Sequence, residues 1–132
     1  MTLALLFIAA TQAYNLPPNL LKAVCFVESK YDIGAILADD HGSPSIGVCQ
    51  VKLATSRLLG FKGPASALRS PEINTQIAAS YLRRQLDRYH GDIYKAISAY
   101  NSGTYRVGQH STAKNHCYVN KVLTYWSHHA QN

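Results

Sequence analysis

The chain has 132 residues, of which 47% are hydrophobic and 15% charged, a length and composition that suit one domain with its own core over residues 1–132. Thirteen Lys and Arg residues against seven Asp and Glu give a formal net charge of +6, which favours an anionic partner such as nucleic acid, an anionic membrane or a cell-wall polymer. The sequence has no repeat, low-complexity tract or linker, which excludes repeat and disordered architectures.

An apolar run opens the chain and predicts a first helix over residues 2–13. Its apolar residues would share one helical face: Leu3, Leu6, Phe7 and Ala10. The alternative is a signal peptide with a cut after Ala13, but no Lys or Arg precedes Lys22, and a signal peptide begins with positive charge. The run is also too short to cross a membrane, so we expect no stable membrane insertion.

The next segment predicts an amphipathic helix over residues 17–30. Two adjacent stripes form its apolar face: Leu20, Val24 and Val27, and Leu21, Cys25 and Glu28. Glu28 therefore faces the core near the helix C-terminus, where burial and the helix dipole both disfavour a carboxylate anion. We expect Glu28 to be largely buried, with a pKa raised enough for a general acid. The alternative is a surface carboxylate that turns to solvent or pairs with Lys22 or Lys30.

The rest of the chain predicts a mostly helical fold with one small β insert. Residues 33–51 are rich in glycine, aspartate and proline, which indicates turns with short strands or a hairpin. Ser70 followed by Pro71 is a strong helix start, because a serine caps and a proline is tolerated at the first position. The remaining predicted helices are 52–59, 71–89, 93–102 and 115–128. The predicted fold class is α+β, mostly α.

Cysteine and histidine residues give no sign of a metal site. The three cysteines are odd in number, and neither they nor the six scattered histidines have zinc-type spacing. Because Cys25 lies on the apolar stripe, a small buried thiol is its expected state. A single disulfide is compatible with the count, but the spacing does not indicate one.

Three further stretches join Glu28-Ser29 in a recognisable order: Gly47-Val48-Cys49-Gln50, Ala99-Tyr100-Asn101-Ser102-Gly103 and Tyr118-Val119. Together they resemble the catalytic domain of the soluble lytic transglycosylases of peptidoglycan, in the goose-type, lysozyme-like superfamily. That family's signature is Glu-Ser, Gly-x-x-Gln, Ala-Tyr-Asn-x-Gly and Tyr-Val. The resemblance extends from Leu16 to Val122. Each motif is short, but their joint order on a helical chain is specific. Val48-Cys49 departs from the usual Leu-Met by an apolar replacement.

The resemblance implies a lysozyme-like fold with a substrate cleft and a cofactor-free cleavage of the β-1,4 bond between N-acetylmuramic acid and N-acetylglucosamine. Glu28 would donate a proton to the leaving oxygen. The C6 hydroxyl of the sugar would then attack the anomeric carbon, and Glu28 would take its proton. The product would carry 1,6-anhydro-N-acetylmuramic acid.

The same resemblance assigns five residues to substrate binding and to the support of Glu28. Gln50 would line the cleft and contact the glycan or orient the acid. The alternative is a purely structural role, in which its side-chain amide caps the turn. Tyr100 and Tyr118 would place their hydroxyls near Glu28, whereas their alternative is core packing. Asn101 would brace the cleft wall. Ser29 would position Glu28 or satisfy the helix end.

Other function classes remain open at this point. A hydrolytic muramidase would usually need a second carboxylate, for which Asp32, Asp39 and Asp40 are the candidates, with Asp39 or Asp40 preferred. An inactive glycan-binding or structural virion protein and a nucleic-acid binder are weaker alternatives, because the motif set is intact and no basic-aromatic pattern is present. We expect a monomer that acts on peptidoglycan strands and not on nucleic acid. A compact unit of this kind suits a bacteriophage virion or lysis enzyme, or a periplasmic or secreted one.

Overall fold

The computed structural model describes residues 1–129, and the last three positions of the predicted domain, 130–132, lie outside the described residues. The helices, in chain order, are α1 (Leu3–Ala13), α2 (Leu20–Ser29), α3 (Leu53–Leu58), α4 (Pro71–Arg88), α5 (Ile93–Ser102) and α6 (His116–His129). Three strands, β1 (Ile36–Asp40), β2 (Ser43–Ile46) and β3 (Val51–Lys52), lie between α2 and α3. The mostly helical α+β prediction is therefore correct. Short 3₁₀ turns at Ala65–Arg69 and Gln109–Ser111 were not predicted.

Helix α1 packs in the core, as the amphipathic pattern predicts. The Thr2 hydroxyl caps it by accepting the Leu5 N–H at 3.3 Å. Its buried side chains are Leu6, Phe7 and Ala10, and the helix packs mainly against α4. Among the described residues, no helix combines the length and apolar character that crossing a membrane requires.

Helix α2 starts three residues later than the pattern predicts. Asn19 has φ 66° and ψ 1°, a left-handed conformation that interrupts a right-handed helix, so the proline-rich residues before it form turns. At the other end Lys30, with φ 54°, closes the helix by donating its N–H to the Phe26 carbonyl at 2.7 Å. Glu28 is thereby fixed at the second-to-last helical position.

The three strands form an antiparallel sheet in the order β1–β2–β3. Ile36 pairs with Ile46, and Ser45 pairs with both Leu37 and Lys52, with an irregularity before Asp40. The strands fall within the predicted insert, apart from Lys52. The edge strand β1 is mostly exposed, whereas Ile46 and Val51 are each only 5% exposed. The sheet therefore attaches to the helical core through β2 and β3.

One core cluster runs through the helical part of the molecule. Helix α4 packs against α1 and α5, while α6 packs against α2 and α5. The fully buried side chains of this core cluster include Leu20, Leu21, Leu82, Ile97 and Val119. These helices hold α2 rigidly, which fixes the position of Glu28.

Cys25 and Cys49 form a disulfide, with Cα atoms 4.3 Å apart. The expectation of a free buried thiol at Cys25 is therefore wrong. The two cysteines are 24 residues apart in sequence and meet because the turn after β2 folds back onto α2. Cys117 is the free cysteine and is exposed.

Candidate active site

An open cleft of about 480 Å³ lies between the sheet and the end of α5, with Glu28 in its lining. The sheet side contributes Asp40, Ser45 and Lys52. The helical side contributes Tyr100, Asn101 and Arg106. The cleft thus brings together residues that are up to 78 positions apart, from Glu28 to Arg106.

Glu28 lies in the cleft with one specific partner. It is half-buried, so the prediction that it is largely buried holds only in part. The Tyr118 hydroxyl donates to Glu28 Oε2 at 2.7 Å. Neither Lys22 nor Lys30 forms an ion pair with Glu28 in the described structure. The alternative of a lysine-paired surface carboxylate is therefore wrong.

The electrostatic environment of Glu28 favours its protonated form. The pKa of Glu28 is raised from 4.5 to about 7, mainly through desolvation by burial and to a smaller extent through the negative charge of Asp40. The hydrogen bond from Tyr118 acts in the opposite direction, because it stabilises the carboxylate. A carboxyl group with this pKa exists in both protonation states near neutral pH, as a group that donates and then accepts a proton requires.

The two tyrosines predicted beside Glu28 have different partners. Burial, and then the charge of Glu28, raise the pKa of both Tyr100 and Tyr118 well above 10, so both phenols stay protonated. Tyr118 donates to Glu28, but the Tyr100 hydroxyl donates to the Cys49 carbonyl at 2.9 Å. Tyr100 lines the cleft and interacts electrostatically with Glu28, but its hydroxyl braces the turn.

Gln50 lines the cleft through a turn that its own side chain closes. Its Nε2 donates to the Gly47 carbonyl at 3.0 Å and to the Ala35 carbonyl at 3.1 Å. The residue also has φ 49°, a conformation unusual for a side chain larger than asparagine. The turn-capping alternative therefore describes the contacts of Gln50 within the chain, while its place in the cleft lining leaves it accessible to a ligand.

Ser29 ties the helix that carries Glu28 to the same turn. Its hydroxyl donates to the Val48 carbonyl at 2.6 Å. The Cys25–Cys49 disulfide joins the same two segments one helical turn earlier. This contact acts on the helix backbone and not on the carboxylate, and the positioning of Glu28 by Ser29 stays a prediction.

A buried amide that the sequence did not single out also holds this turn. Asn74 is completely buried, accepts the Cys49 N–H at 2.9 Å, and donates to the carbonyls of Ile46 and Leu68 at 2.8 Å each. A Cβ at Gly47 would lie 2.5 Å from Asn74 Nδ2, which explains the glycine. One sequence feature could have indicated this role: Asn74 is a polar residue on the same helical stripe as the apolar Ala78 and Leu82, which are buried.

Asn101 stands at the exposed rim of the cleft. Its Oδ1 accepts a hydrogen bond from Asn115 Nδ2 at 3.0 Å, and Asn115 is in turn bonded to Ser98. This network links α5 to the segment before α6, and the bracing of the cleft wall by Asn101 stays a prediction. Tyr81 of α4 also lines the cleft and packs against Tyr100 with ring centroids 5.3 Å apart.

The three aspartates considered as a second carboxylate have different positions. Asp40 lines the cleft and accepts the Ser45 hydroxyl at 2.7 Å. Asp32 and Asp39 are exposed and accept the backbone N–H groups of Gly34 and Gly42. Asp40 is thus the aspartate that shares the cleft with Glu28. Among residues 1–129, no group of three or more His, Cys, Asp or Glu side chains is arranged to hold a metal ion.

Comparison with known proteins identifies the family. The profile described as the Transglycosylase SLT domain matches residues 5–121. The chain belongs to this family. The resemblance inferred from the Glu-Ser, Gly-x-x-Gln, Ala-Tyr-Asn-x-Gly and Tyr-Val motifs is therefore confirmed.

Relatives of this SLT-family chain occur in bacteria and in a bacteriophage. Protein IpgF of Shigella flexneri is 31% identical over 97 residues, which cover 72% of this chain and 63% of IpgF. Peptidoglycan transglycosylase gp16 of Escherichia phage T7 is 32% identical over 106 residues, which cover 78% of this chain and 8% of gp16. The chain thus spans less than two thirds of the length of either relative.

A solved structure shares the fold. The crystal structure of an inactive mutant of the lytic transglycosylase Slt from Pseudomonas aeruginosa superposes with a TM-score of 0.78 at 20% sequence identity. The match covers 95% of this chain and 23% of Slt. The predicted lysozyme-like architecture, helical around a cleft with a small sheet, is therefore confirmed.

Proposed function

We propose that this protein is a peptidoglycan lytic transglycosylase in which Glu28 is the catalytic acid and base. The observation that carries the proposal is the environment of Glu28: a half-buried carboxyl in an open cleft, with a pKa of about 7 and a phenol donor at 2.7 Å. Membership of the SLT family supports the reaction class. The transglycosylase gp16 is a relative that carries this activity in its name.

The reaction needs one group that changes its protonation state twice. Protonated Glu28 donates its proton to the glycosidic oxygen as the bond from that oxygen to the anomeric carbon of N-acetylmuramic acid breaks. The C6 hydroxyl of the same sugar then attacks the anomeric carbon and gives its proton to the Glu28 carboxylate. A 1,6-anhydro ring forms, Glu28 is protonated again, and no water is consumed.

The neighbouring residues support these two proton transfers. The Tyr118 hydroxyl stabilises the carboxylate form, which develops after the first transfer. Gln50 and Asn101 line the cleft, where they contact the glycan through amide groups. Tyr100 shapes the wall, and Ser29 and Tyr100 together hold the turn that carries Gln50.

Mass spectrometry of the muropeptides released from purified sacculi tests the chemistry directly. A transglycosylase releases products that end in 1,6-anhydro-N-acetylmuramic acid, lighter by one water than the reducing ends left by a hydrolase. We expect anhydro products only. Reducing, non-anhydro products would contradict the proposed nucleophile.

One observation favours a second candidate, a two-carboxylate muramidase. Asp40 lines the same cleft as Glu28, and its charge contributes to the raised pKa of Glu28. A hydrolase of this type would use Asp40 to activate water or to stabilise the cation. Asp39 does not support this alternative, because its carboxylate caps the turn at Gly42 and does not line the cleft.

The site of action that we propose is the bacterial cell wall, with glycan strands as the partner. The relatives from Shigella and from phage T7 fit a bacterial or a phage-borne enzyme. The Cys25–Cys49 disulfide favours an oxidising compartment such as the periplasm or the cell exterior. We propose that the protein acts as a monomer.

A further inference from the structure

Two positively charged side chains line the cleft from opposite sides. Lys52, at the end of β3, is half-buried on the sheet side. Arg106, four residues after the end of α5, is exposed on the helical side. Apart from the titratable His41, they are the basic residues of the cleft lining.

Neither cation is neutralised by the part of the chain that the structure describes. The Lys52 ammonium has no ion pair or hydrogen bond to residues 1–129, and Arg106 donates only one long hydrogen bond, 3.4 Å to the Ser102 carbonyl. The acidic residue of the sheet side, Asp40, is instead occupied by the Ser45 hydroxyl at 2.7 Å and by His41 at 3.9 Å. Two unpaired cations beside a ligand cleft indicate an anionic ligand group.

We propose that Lys52 and Arg106 are specificity-determining residues that select glycan chains carrying carboxylates over neutral chains. This inference rests on the proposed function, because it assigns the substrate class of the same cleft. The polar backbone of a β-1,4 N-acetylhexosamine polymer is neutral, so its hydroxyl and amide groups give the two cations nothing to neutralise. Carboxylates reach the polymer only through the side groups of the muramic acid units.

Those carboxylates have two sources with the same chemistry. In intact peptidoglycan the lactyl group of muramic acid is linked to a peptide, and the free carboxylates belong to that peptide. In strands stripped of peptide, the lactyl carboxylate itself is free. Either source places negative charge beside the glycan backbone, on the side groups that would lie toward the cleft walls.

The experiment measures binding rather than cleavage. Glu28→Gln is used as the background so that the ligand stays intact, and dissociation constants are measured by calorimetry. Three ligands are compared: peptide-bearing glycan fragments, peptide-stripped strands with free lactyl carboxylates, and neutral β-1,4 oligomers of N-acetylglucosamine. Lys52→Gln with Arg106→Gln removes both cations. The matched control is Lys62→Gln with Arg69→Gln, which removes the same charge from exposed residues outside the cleft lining.

We expect the Lys52 and Arg106 double variant to bind the carboxylate-bearing ligands about three- to tenfold more weakly, as exposed ion pairs allow. Its binding of the neutral oligomers should be unchanged, and the control should match the background for all three ligands. The affinity of the background for anionic ligands should fall toward that of the double variant as salt rises to about 0.15 M. Whether stripped strands retain the preference separates lactyl from peptide carboxylates.

Equal losses in the double variant and its control would overturn the proposal, and so would equal affinity of the background for neutral and carboxylate-bearing ligands. Absence of binding to all three ligands would overturn it as well. Failure of the proposed function is a separate result. It would appear as missing anhydro products from the unsubstituted chain, whatever its ligand preference.

Discussion

The two sides of the cleft each present one carboxylate, in different surroundings. Glu28 projects from α2, which packs against α6, and its partner Tyr118 comes from α6 itself. Asp40 ends the edge strand β1, its side chain is 31% exposed, and its partners are Ser45 and His41. Burial on the helical side raises the pKa of Glu28, whereas the sheet side surrounds the Asp40 carboxylate with the polar partners Ser45 and His41.

The two carboxyl groups of the cleft therefore differ in the chemical roles that they can take. Desolvation makes the carboxylate anion costly, so Glu28 keeps a proton near neutral pH. On the sheet side, Asp40 is held by Ser45 and His41, whereas the Lys52 ammonium remains available to a ligand. We infer that the helical side carries the acid–base chemistry, and that both sides contribute recognition, through Lys52 and Arg106.

Substituting the two carboxylates gives the largest expected contrast. Glu28→Gln should lower the rate of anhydro-muropeptide release by about 10²–10⁴-fold, because an amide neither donates nor accepts the proton. Asp40→Asn should retain activity within about tenfold, because removing its charge only lowers the pKa of Glu28 modestly. Asp39→Asn, outside the cleft, is the matched control. An Asp40→Asn variant as inactive as Glu28→Gln would make the sheet side catalytic.

The disulfide joins the helical side to the turn that carries Gln50, so its removal tests how far the two sides depend on each other. Cys25→Ser with Cys49→Ser should lower the free energy of unfolding by about 3–4 kcal/mol, from the chain entropy of the 24-residue separation. Denaturant titration measures this loss, with Cys117→Ser as the control. A loss below about 1 kcal/mol would show that Asn74 and Ser29 hold the turn without the covalent link.

Removing each tyrosine hydroxyl in turn tests whether Tyr118 supports Glu28 and whether Tyr100 supports the turn that carries Gln50. Tyr118→Phe should slow turnover by about 10- to 100-fold. This reduction is smaller than the one expected on removing a hydrogen-bond donor from a closed site, because the cleft is open to water. It should also raise the pKa of Glu28, because the lost bond stabilised the carboxylate, and so move the alkaline limb of the pH–rate profile upward.

Tyr100→Phe is the comparison variant. Its main effect should be a stability loss of about 1–3 kcal/mol, because the buried Cys49 carbonyl loses its donor, with the pH–rate profile unchanged. Thermal unfolding and pH–rate profiles of both variants measure the two effects. Equal shifts of the alkaline limb in both variants would contradict the different roles.

The smallest expected effect is the pH dependence of stability that Glu28 causes. Its pKa rises from 4.5 to about 7 on folding, so the protein loses stability as pH increases between these values and no further above them. Because Glu28 is half-buried and lines an open cleft, we expect a loss of about 1–2 kcal/mol. Glu28→Gln should lack this loss and be the more stable protein above pH 7. Parallel unfolding curves of the two proteins from pH 4 to 8 would contradict the assignment.

Local sequence patterns were sufficient for the helices and for the position of Glu28. The apolar stripe of α2, the Ser70-Pro71 start of α4 and the glycine after α5 each act within a few residues, so spacing and capping predict them. The ordered motifs identified five candidate site residues but did not specify their contacts: Ser29, Gln50, Tyr100, Asn101 and Tyr118. The left-handed Asn19, which delays α2, had no such local signal.

By itself, the sequence determined the helical fold class, the family and the core-facing side of Glu28, because periodicity and motif order are properties of neighbouring residues. Only the tertiary structure decided that Tyr118 and not Tyr100 donates a hydrogen bond to Glu28, that Cys25 pairs with Cys49, and that Asp40 and not Asp39 lines the cleft. These contacts join segments that are distant along the chain. Their distances depend on how the turn after β2 packs against α2, α4 and α5, and no local spacing encodes that packing.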